Sequence, residues 1–251
     1  RNQFLYPELQ LFRRLFQDAG LRCEIADPRE LRWESGELRS REGIDDLVYH
    51  RLTDFYQQEA TSASLRHAYD ARAVAVTPNP HVYALLADKR DLIAFSDDSL
   101  LASWGLDVRS REILARAVPE TRQVRREDAD ELWSRRKELF FKPRTSHGSR
   151  GAFDGSKLTR KTFASIIEGS YVAQRKVPPA ERTLRVDGEE RRLKVDLRCV
   201  VYGARVQLIS ARLYRGQTTN LRTEGGGLAT VFSVPASEVA VGETIPDASG
   251  A

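Results

Sequence analysis

A lysine stands at the mouth of a glycine-rich loop in the stretch FFKPRTSHGSRGAFDG, from Phe140 to Gly155. The loop carries small hydroxyl residues together with Gly148 and Gly151, so its backbone N–H groups can come close to an anion. Lys142 would add a positive charge beside them. Taken alone, the loop is more typical of a glycine-rich hairpin with a solvated lysine, and it lacks the Gly-Lys-Ser/Thr ending of a Walker loop.

Further charged residues alternate along the predicted strand KVDLRCVVYG. Asp196 and Arg198 are two residues apart, which places both side chains on one face of that strand. Arg212, in the next predicted strand RVQLISARLYRG, can reach the same face across the hairpin, and Asn220 follows in a segment with three consecutive glycines. Together with the lysine and its loop, these residues predict an anion-binding site.

A third feature is the predicted strand YVAQRKV, which ends at Pro178-Pro179. Backbone groups at such a strand end can bind the edge of a purine, with Val172 and Val177 as apolar neighbours. The sequence thus predicts a place for a base beside the place for an anion.

The elements of the first half follow from apolar periodicity. LYPELQLFRRLFQDAG has the spacing of an amphipathic helix that ends near Gly20. Short strands are predicted at LRCEIA, DLVYHR and AVAV, with a helix from Phe55 to Tyr69 between the last two. Strands that alternate with helices indicate a parallel α/β sheet.

The second half of the chain has a different pattern of predicted secondary structure. From His81 to about Glu138 the pattern is mostly helical, and beyond it strands dominate, interrupted by one helix from about Thr159 to Glu168. Turns are predicted at DGEE and at Tyr202-Gly203-Ala204, so the strands should pair antiparallel. We therefore predict an α/β domain over residues 1–95, an α+β domain with an antiparallel sheet over 96–235, and a loose tail over 236–251.

Composition narrows the class of protein. The 251 residues carry 40 Lys plus Arg and 36 Asp plus Glu, a formal charge of +4 that suits a small anionic ligand and does not favour nucleic acid. Two cysteines are too few for a disulfide framework, and we expect both to be buried small residues in a reducing compartment. No apolar run approaches the ~18 residues of a membrane span, so we expect a cytoplasmic protein.

The order of motifs resembles the ATP-grasp superfamily, in the arrangement of glutathione synthetase and of the ligases that add glutamate to protein tails. The motifs are Asp88-Lys89, FFKP, the glycine-rich loop, YVAQ, VDLR, ISAR and TNLRTEGGG. The resemblance covers about Leu47 to Phe232. It implies an ATP-grasp fold, with the first domain as its α/β pre-domain and the antiparallel sheet as its nucleotide-binding region.

The resemblance also implies roles for single residues. Two lysines would contact the phosphates, the loop would form a lid over them, and the strand end would bind adenine through its backbone. Arg198 and Arg212 would lie near the γ-phosphate and an acyl phosphate, and Asn220 near the substrate. The implied nucleotide-binding residues are Lys89, Lys142, Ser146, His147, Gly148, Ser149, Gly151, Gln174, Arg175 and Val177.

The implied function is an ATP- and Mg²⁺-dependent ligase that joins a carboxylate to an amine through an acyl phosphate, on an amino acid or peptide. The acidic strand and Glu-x-Asn that hold Mg²⁺ in the family do not follow Asn220. We expect them either to precede Arg1, as in circularly permuted members, or to be lost. Asp196 is the remaining acidic candidate, as a Mg²⁺ ligand or as a residue that orients Arg198 or a metal-bound water.

Alternatives remain open. A protein without the metal ligands would bind nucleotide as a non-catalytic scaffold, and a basic surface could serve nucleic acid instead. Arg51 and Asp54 follow a predicted strand at its carboxyl end, where open α/β sheets bind ligands, and either hold an acceptor substrate or form a structural ion pair.

Overall fold

The computed structural model describes residues 5–186, 188–221, 223–233 and 235. The chain divides into two compact units, Arg1–Asp88 and Lys89–Ala251. The domain bounds at residues 95 and 235 stay predictions, and the predicted tail over 236–251 lies outside the described residues.

The first unit begins with the predicted amphipathic helix, α1 (Tyr6–Asp18). Its proline lies in the first turn, where a missing N–H is harmless, and Gly20 follows the last cap residue at a φ of +81°. Phe12 and Phe16 on this helix pack against Tyr49, with ring centroids 4.9 Å and 5.9 Å away. The helix is thus attached to the strand that contains Tyr49.

Two small sheets complete the first unit. One is an antiparallel meander in the order β1-β2-β3, and the other is a parallel pair, β4 with β5, connected through helix α2. The elements are β1 (Arg32–Glu34), β2 (Glu37–Ser40), β3 (Gly43–Ile44), β4 (Leu47–Tyr49), α2 (Ala63–Asp70), β5 (Ala75–Thr77) and α3 (Pro80–Leu86). The core between them consists of Leu38, Leu65, Ala68, Val74 and Val76.

The structure confirms the predicted parallel pair and corrects two expectations. The predicted strand LRCEIA pairs with no strand among the described residues, and residues 21–27 have no regular structure. The predicted helix from Phe55 to Tyr69 starts only at Ala63, after a single 3₁₀ turn. The carboxylate of Asp54 accepts hydrogen bonds from the backbone N–H groups of Gln58 and Glu59, which holds that segment in a turn.

The second unit contains the helices that the sequence predicted before and between its strands. They are α4 (Asp91–Phe95), α5 (Asp98–Ser103), α6 (Val108–Ala117), α7 (Ala129–Ser134) and α8 (Arg160–Glu168). Asp97, Asp107 and Thr159 each cap the N-terminus of the helix that follows, with a side-chain oxygen that accepts a backbone N–H. These caps explain why three of the helices begin where they do.

Two four-stranded antiparallel sheets follow in the second unit. The first, sheet I, has the order β6-β9-β7-β8, and the second, sheet II, has the order β10-β11-β12-β13. Their strands are β6 (Thr121–Gln123), β7 (Leu139–Pro143), β8 (Phe153–Asp154), β9 (Tyr171–Arg175), β10 (Ala180–Val186), β11 (Glu189–Tyr202), β12 (Arg205–Tyr214) and β13 (Gly227–Thr230). This mixture of helices and antiparallel sheets confirms the α+β class, while the ATP-grasp fold itself stays a prediction.

One face of sheet I carries the core of the second unit. Leu139 and Phe141 of β7 and Ala173 of β9 pack there with Phe163 and Ile166 of α8. Because side chains alternate along a strand, Phe140 and Lys142 point away from this core. Across the described residues, no helix is long and apolar enough to cross a membrane.

Candidate functional site

The glycine-rich loop connects β7 to β8 in a hairpin whose strands pair Phe141 with Phe153. At its tip, the N–H of Arg150 donates to the carbonyl of His147 over 3.1 Å. The two residues between them, Gly148 and Ser149, have φ angles of +58° and +61°, which is the geometry of a type I′ turn. The glycine at the first of these positions is what makes that turn accessible at low cost.

Lys89 is attached to the start of this loop. Its backbone N–H donates to the carbonyl of Arg144 over 3.0 Å, and its ammonium donates to the carbonyl of Ser146 over 2.8 Å. The predicted Lys89 and the predicted loop therefore come together although 57 residues separate Lys89 from Ser146.

Lys142 lies half-buried on the face of sheet I that points away from the core. Its ammonium donates to the side-chain oxygen of Gln174 over 2.6 Å and lies 5.8 Å from the ring centroid of Phe140. Burial, and next the charge of Lys89, lower the pKa of Lys142 below that of a free lysine. In the described part of the chain, no carboxylate forms an ion pair with this ammonium, and its charged neighbour Lys89 is hydrogen-bonded to the start of the loop.

Gln174 holds Lys142 through its side chain, a role that the sequence did not suggest. Its amide group is buried and bridges two neighbouring strands, because the NH₂ also donates to the hydroxyl of Thr121 over 2.8 Å. Thr121 lies directly opposite Gln174 in the ladder between β6 and β9. No local signal could have identified Thr121, because only the pairing of these two strands brings it to the site.

The predicted adenine-binding backbone lies at the end of β9, and sheet I already uses part of it. The N–H of Arg175 donates to the carbonyl of Glu120, and that of Lys176 to the carbonyl of Glu138, each over 2.8 Å. Val177 comes directly after these sheet bonds, and 60 % of its surface is exposed. Val177 and Arg175 are therefore the exposed residues of the predicted hinge, whereas Gln174 is buried.

The predicted cluster on sheet II lies on one face of two neighbouring strands, and a β-bulge between Val200 and Val201 sets their register. Asp196 lies opposite Arg212 in the ladder between β11 and β12, and Arg198 lies opposite Ser210 on the same face. The guanidinium of Arg212 forms two hydrogen bonds with the carboxylate of Asp196, over 2.6 Å and 3.1 Å. Asp196 therefore orients Arg212, rather than the predicted Arg198, whose side chain is exposed.

Asn220 lies in the loop between β12 and β13, and its side chain forms hydrogen bonds with other residues of that loop. Its side-chain NH₂ donates to the carbonyl of Arg215, and its oxygen accepts from the hydroxyl of Thr223, each over 3.0 Å. The neighbouring Thr219 donates to Asp196 over 2.8 Å. This loop is thus tied to the same carboxylate that orients Arg212.

The predicted site residues form two groups on two sheets of the second unit. Lys89, Lys142, the loop and the end of β9 belong to sheet I and its connections, whereas Asp196, Arg198, Arg212 and Asn220 belong to sheet II and its last loop. The described contacts connect Lys89 with Ser146 and Lys142 with Gln174 in the first group, and Asp196 with Arg212 in the second. A common cleft for both groups stays a prediction.

Both carboxylate oxygens of Asp196, the predicted Mg²⁺ ligand, accept hydrogen bonds from other side chains, and these would compete with a metal ion. One of its oxygens accepts from Arg212, and the other accepts from both Arg212 and Thr219. Elsewhere in the ranges that the structure describes, no three His, Cys, Asp or Glu side chains come together as a set that could hold a metal ion. The dependence on Mg²⁺ stays a prediction.

Arg51 and Asp54 have structural partners in the first unit. Arg51 forms an ion pair with Glu8 of α1. The carboxylate of Asp54 accepts from two backbone N–H groups and from the hydroxyl of Ser62, over 2.7 Å in the last case. These contacts favour the structural alternative for both residues.

Comparisons with known proteins add little to this geometry. No family model matches the chain, and a search of curated proteins also finds no match. One solved structure, described as "Structure of ATP-grasp ligase PsnB complexed with minimal precursor", aligns with 82 % of this chain and 72 % of its own at 13 % identity and a TM-score of 0.43. A TM-score at this level does not establish a shared fold.

Proposed function

We propose that the protein is an ATP-dependent ligase that joins a carboxylate to an amine, and that the glycine turn with Lys89 and Lys142 binds the triphosphate. The observation that supports this most directly is the state of Lys142. It is a half-buried ammonium whose hydrogen-bond partner, Gln174, is neutral and whose charged neighbour, Lys89, is also positive.

The buried ammonium of Lys142 costs free energy in the free protein. Burial removes water from it, the charge of Lys89 repels it, and in the described part of the chain no carboxylate forms an ion pair with it. A bound polyanion would compensate this charge. A triphosphate is the anion that the motif order implies, and the N–H groups of the turn would add hydrogen bonds to its oxygens.

The cluster on sheet II would serve the transfer step. A carboxylate becomes reactive toward an amine once it carries the γ-phosphoryl group of ATP, and positioned cations stabilise the charge on the transferring oxygens. Arg212 is held in a fixed orientation by Asp196, and Arg198 is exposed on the same face. A planar guanidinium suits this role because it binds phosphate or carboxylate with two parallel hydrogen bonds.

A second candidate function is a nucleotide-binding scaffold without turnover. It is favoured by the engagement of Asp196 with Arg212 and Thr219, because these hydrogen bonds would compete with Mg²⁺ for the carboxylate oxygens. Both hypotheses require ATP to bind at the lysine pair, and they differ only in whether a phosphoryl group is transferred.

Binding of ATP is tested by thermal unfolding. We expect ATP to raise the melting temperature of the wild-type protein and to have no such effect on Lys142→Ala, because the substitution removes the central cation. Lys137→Ala is the matched control, since this lysine is exposed, and it should keep the full shift. An equal shift in Lys142→Ala would contradict the proposed phosphate site.

Turnover is tested separately, by release of ADP in the presence of Mg²⁺ and panels of amino acids and peptides as carboxylate and amine. ADP release that requires both substrates supports the ligase. ATP binding without ADP release supports the scaffold. Retention on DNA or RNA that weakens with salt, without any effect of ATP, would favour nucleic-acid binding instead.

A further inference from the structure

A chain of hydrogen bonds crosses sheet I and ends at the ammonium of Lys142. It starts at Thr121, whose hydroxyl donates to the carbonyl of Pro119 over 2.8 Å. The NH₂ group of Gln174 donates to the same hydroxyl over 2.8 Å, and the ammonium of Lys142 donates to the side-chain oxygen of Gln174 over 2.6 Å. Thr121 is 4 % exposed and Gln174 is 7 % exposed, so the bond between them is shielded from water.

The donors and acceptors give this chain one direction. A backbone carbonyl can only accept, so the proton of the Thr121 hydroxyl points to Pro119, and the hydroxyl oxygen accepts from Gln174. An ammonium can only donate, so Lys142 faces the oxygen of the same amide. Both ends therefore require one orientation of the Gln174 amide, with its NH₂ group toward Thr121 and its oxygen toward Lys142.

Thr121 is the fixed end of the chain. Its backbone N–H donates to the hydroxyl of Ser96 over 3.2 Å, and that hydroxyl donates to the carbonyl of Ile93 over 3.1 Å. In the ladder between β6 and β9, Thr121 lies directly opposite Gln174. Lys142, in contrast, carries its ammonium on a flexible four-carbon side chain. The orientation is therefore passed from the threonine through the amide to the lysine.

We propose that Thr121 and Gln174 are positioning residues of the phosphate site, and that Thr121 directs the ammonium of Lys142 by fixing the amide of Gln174. This inference rests on the proposed binding of ATP at Lys142. A neutral amide suits the task, because it holds the ammonium without neutralising it, as a carboxylate would. One N–H of the ammonium is used by Gln174, and the others can donate to phosphate oxygens.

The positioning is tested first without nucleotide, through the pKa of Lys142. Competitive labelling with acetic anhydride at a series of pH values, followed by mass spectrometry, measures the pKa of individual lysines. A hydrogen bond to the amide oxygen favours the ammonium, whereas burial and the charge of Lys89 oppose it. Gln174→Leu should therefore lower the pKa of Lys142 by about one pH unit. Thr121→Val should lower it in the same direction, and Thr121→Ser, which keeps the hydroxyl, should restore the wild-type value.

ATP binding is measured on the same variants, through the rise of the melting temperature with ATP concentration. Gln174→Leu and Thr121→Val should need about tenfold more ATP for the same rise, because an ammonium that is no longer directed loses a charged hydrogen bond to phosphate. Thr121→Ser should bind as the wild-type protein does. Thr183→Val is the matched control, since Thr183 is an exposed threonine of strand β10, and it should alter neither ATP binding nor the pKa of Lys142.

A purely structural role for Thr121 would lower the stability of Thr121→Val and leave the pKa of Lys142 unchanged, and this result overturns the proposal. The proposal also fails if Thr121→Val shifts that pKa but binds ATP as tightly as a wild-type protein that binds it. If Thr121→Val does not fold, Gln174→Leu is judged by the same two measurements. A wild-type protein without any ATP effect contradicts the proposed function instead, whereas the pKa measurements still decide whether Thr121 orients Lys142.

Discussion

At the scale of single residues, the polar side chains of the second unit differ in how far the sequence could predict them. Alternation along β11 places Asp196 and Arg198 on one face, but the pairing of Asp196 with Arg212 also needs the register shift between Val200 and Val201, because the two-residue turn after Tyr202 would by itself place Ala211 opposite Asp196. The hydrogen bond between Lys142 and Gln174 follows neither from the sequence around Lys142 nor from the sequence around Gln174. It depends on β7 and β9 becoming neighbours in sheet I, which their order in the chain does not dictate.

Histidine 50 gives a prediction on pH dependence. Burial lowers its pKa in the folded protein, against the opposing charge of Asp54, while the unfolded chain should titrate near the ordinary value of about 6.5. Below that pH the unfolded state binds more protons, so the free energy of unfolding should fall as the pH falls toward the lowered folded pKa. The slope contributed by one such group is at most about 1.4 kcal/mol per pH unit.

Urea denaturation between pH 5 and 8 measures how the free energy of unfolding changes with pH. This range includes the ordinary pKa of histidine. His50→Gln should flatten the pH dependence relative to the wild-type protein. The same substitution at His67, an exposed residue of α2, should not alter it. If the free energy of unfolding changes with pH in the same way for the wild-type protein and for His50→Gln, then the burial of His50 does not contribute to the pH dependence.

At the scale of elements, the hairpin of β7 and β8 depends on two glycines for different reasons. Gly148 has a φ of +58° and open space around the position of a Cβ atom. Gly155 is buried, and a Cβ atom there would lie 1.8 Å from the carbonyl oxygen of Arg136. Gly148 is therefore needed for a left-handed backbone conformation, and Gly155 is needed for close packing.

The two alanine substitutions should therefore differ in cost. Gly155→Ala must displace backbone, and we expect it to lower the free energy of unfolding by about 3 kcal/mol or more. Gly148→Ala meets only the strain of a left-handed conformation, about 1 kcal/mol. Urea denaturation of the two variants side by side measures the difference. A smaller loss for Gly155→Ala than for Gly148→Ala would mean that the hairpin does not pack against the segment around Arg136.

The elements themselves were predicted unevenly. Long strands with clear alternation, such as β11 and β12, were predicted because alternation over ten or more residues leaves little ambiguity. The three-residue strand β6 and the two-residue strand β8 were missed, since so few residues carry no periodic signal. LRCEIA was wrongly predicted as a strand because alternation shows a preference for strand but supplies no partner.

At the scale of the whole molecule, the sequence predicted a parallel α/β sheet in the first half of the chain and an antiparallel sheet in the second. Each of the two units has its own buried cluster, around Leu65 in the first and around Phe141 in the second. The antiparallel meander of the first unit was not predicted. The division of the site residues between sheets I and II was also beyond the sequence, which gives order but not sheet membership.

We propose that Lys89 and Lys142 together bind the phosphates of one nucleotide. Binding can be tested by mapping the lysines that react with an acyl-phosphate derivative of ATP, which transfers its acyl group to amines next to the phosphates. We expect labelling at Lys89 and Lys142 that excess ATP suppresses and excess AMP does not. Labelling that spares both lysines, or that ATP and AMP suppress equally, would contradict it.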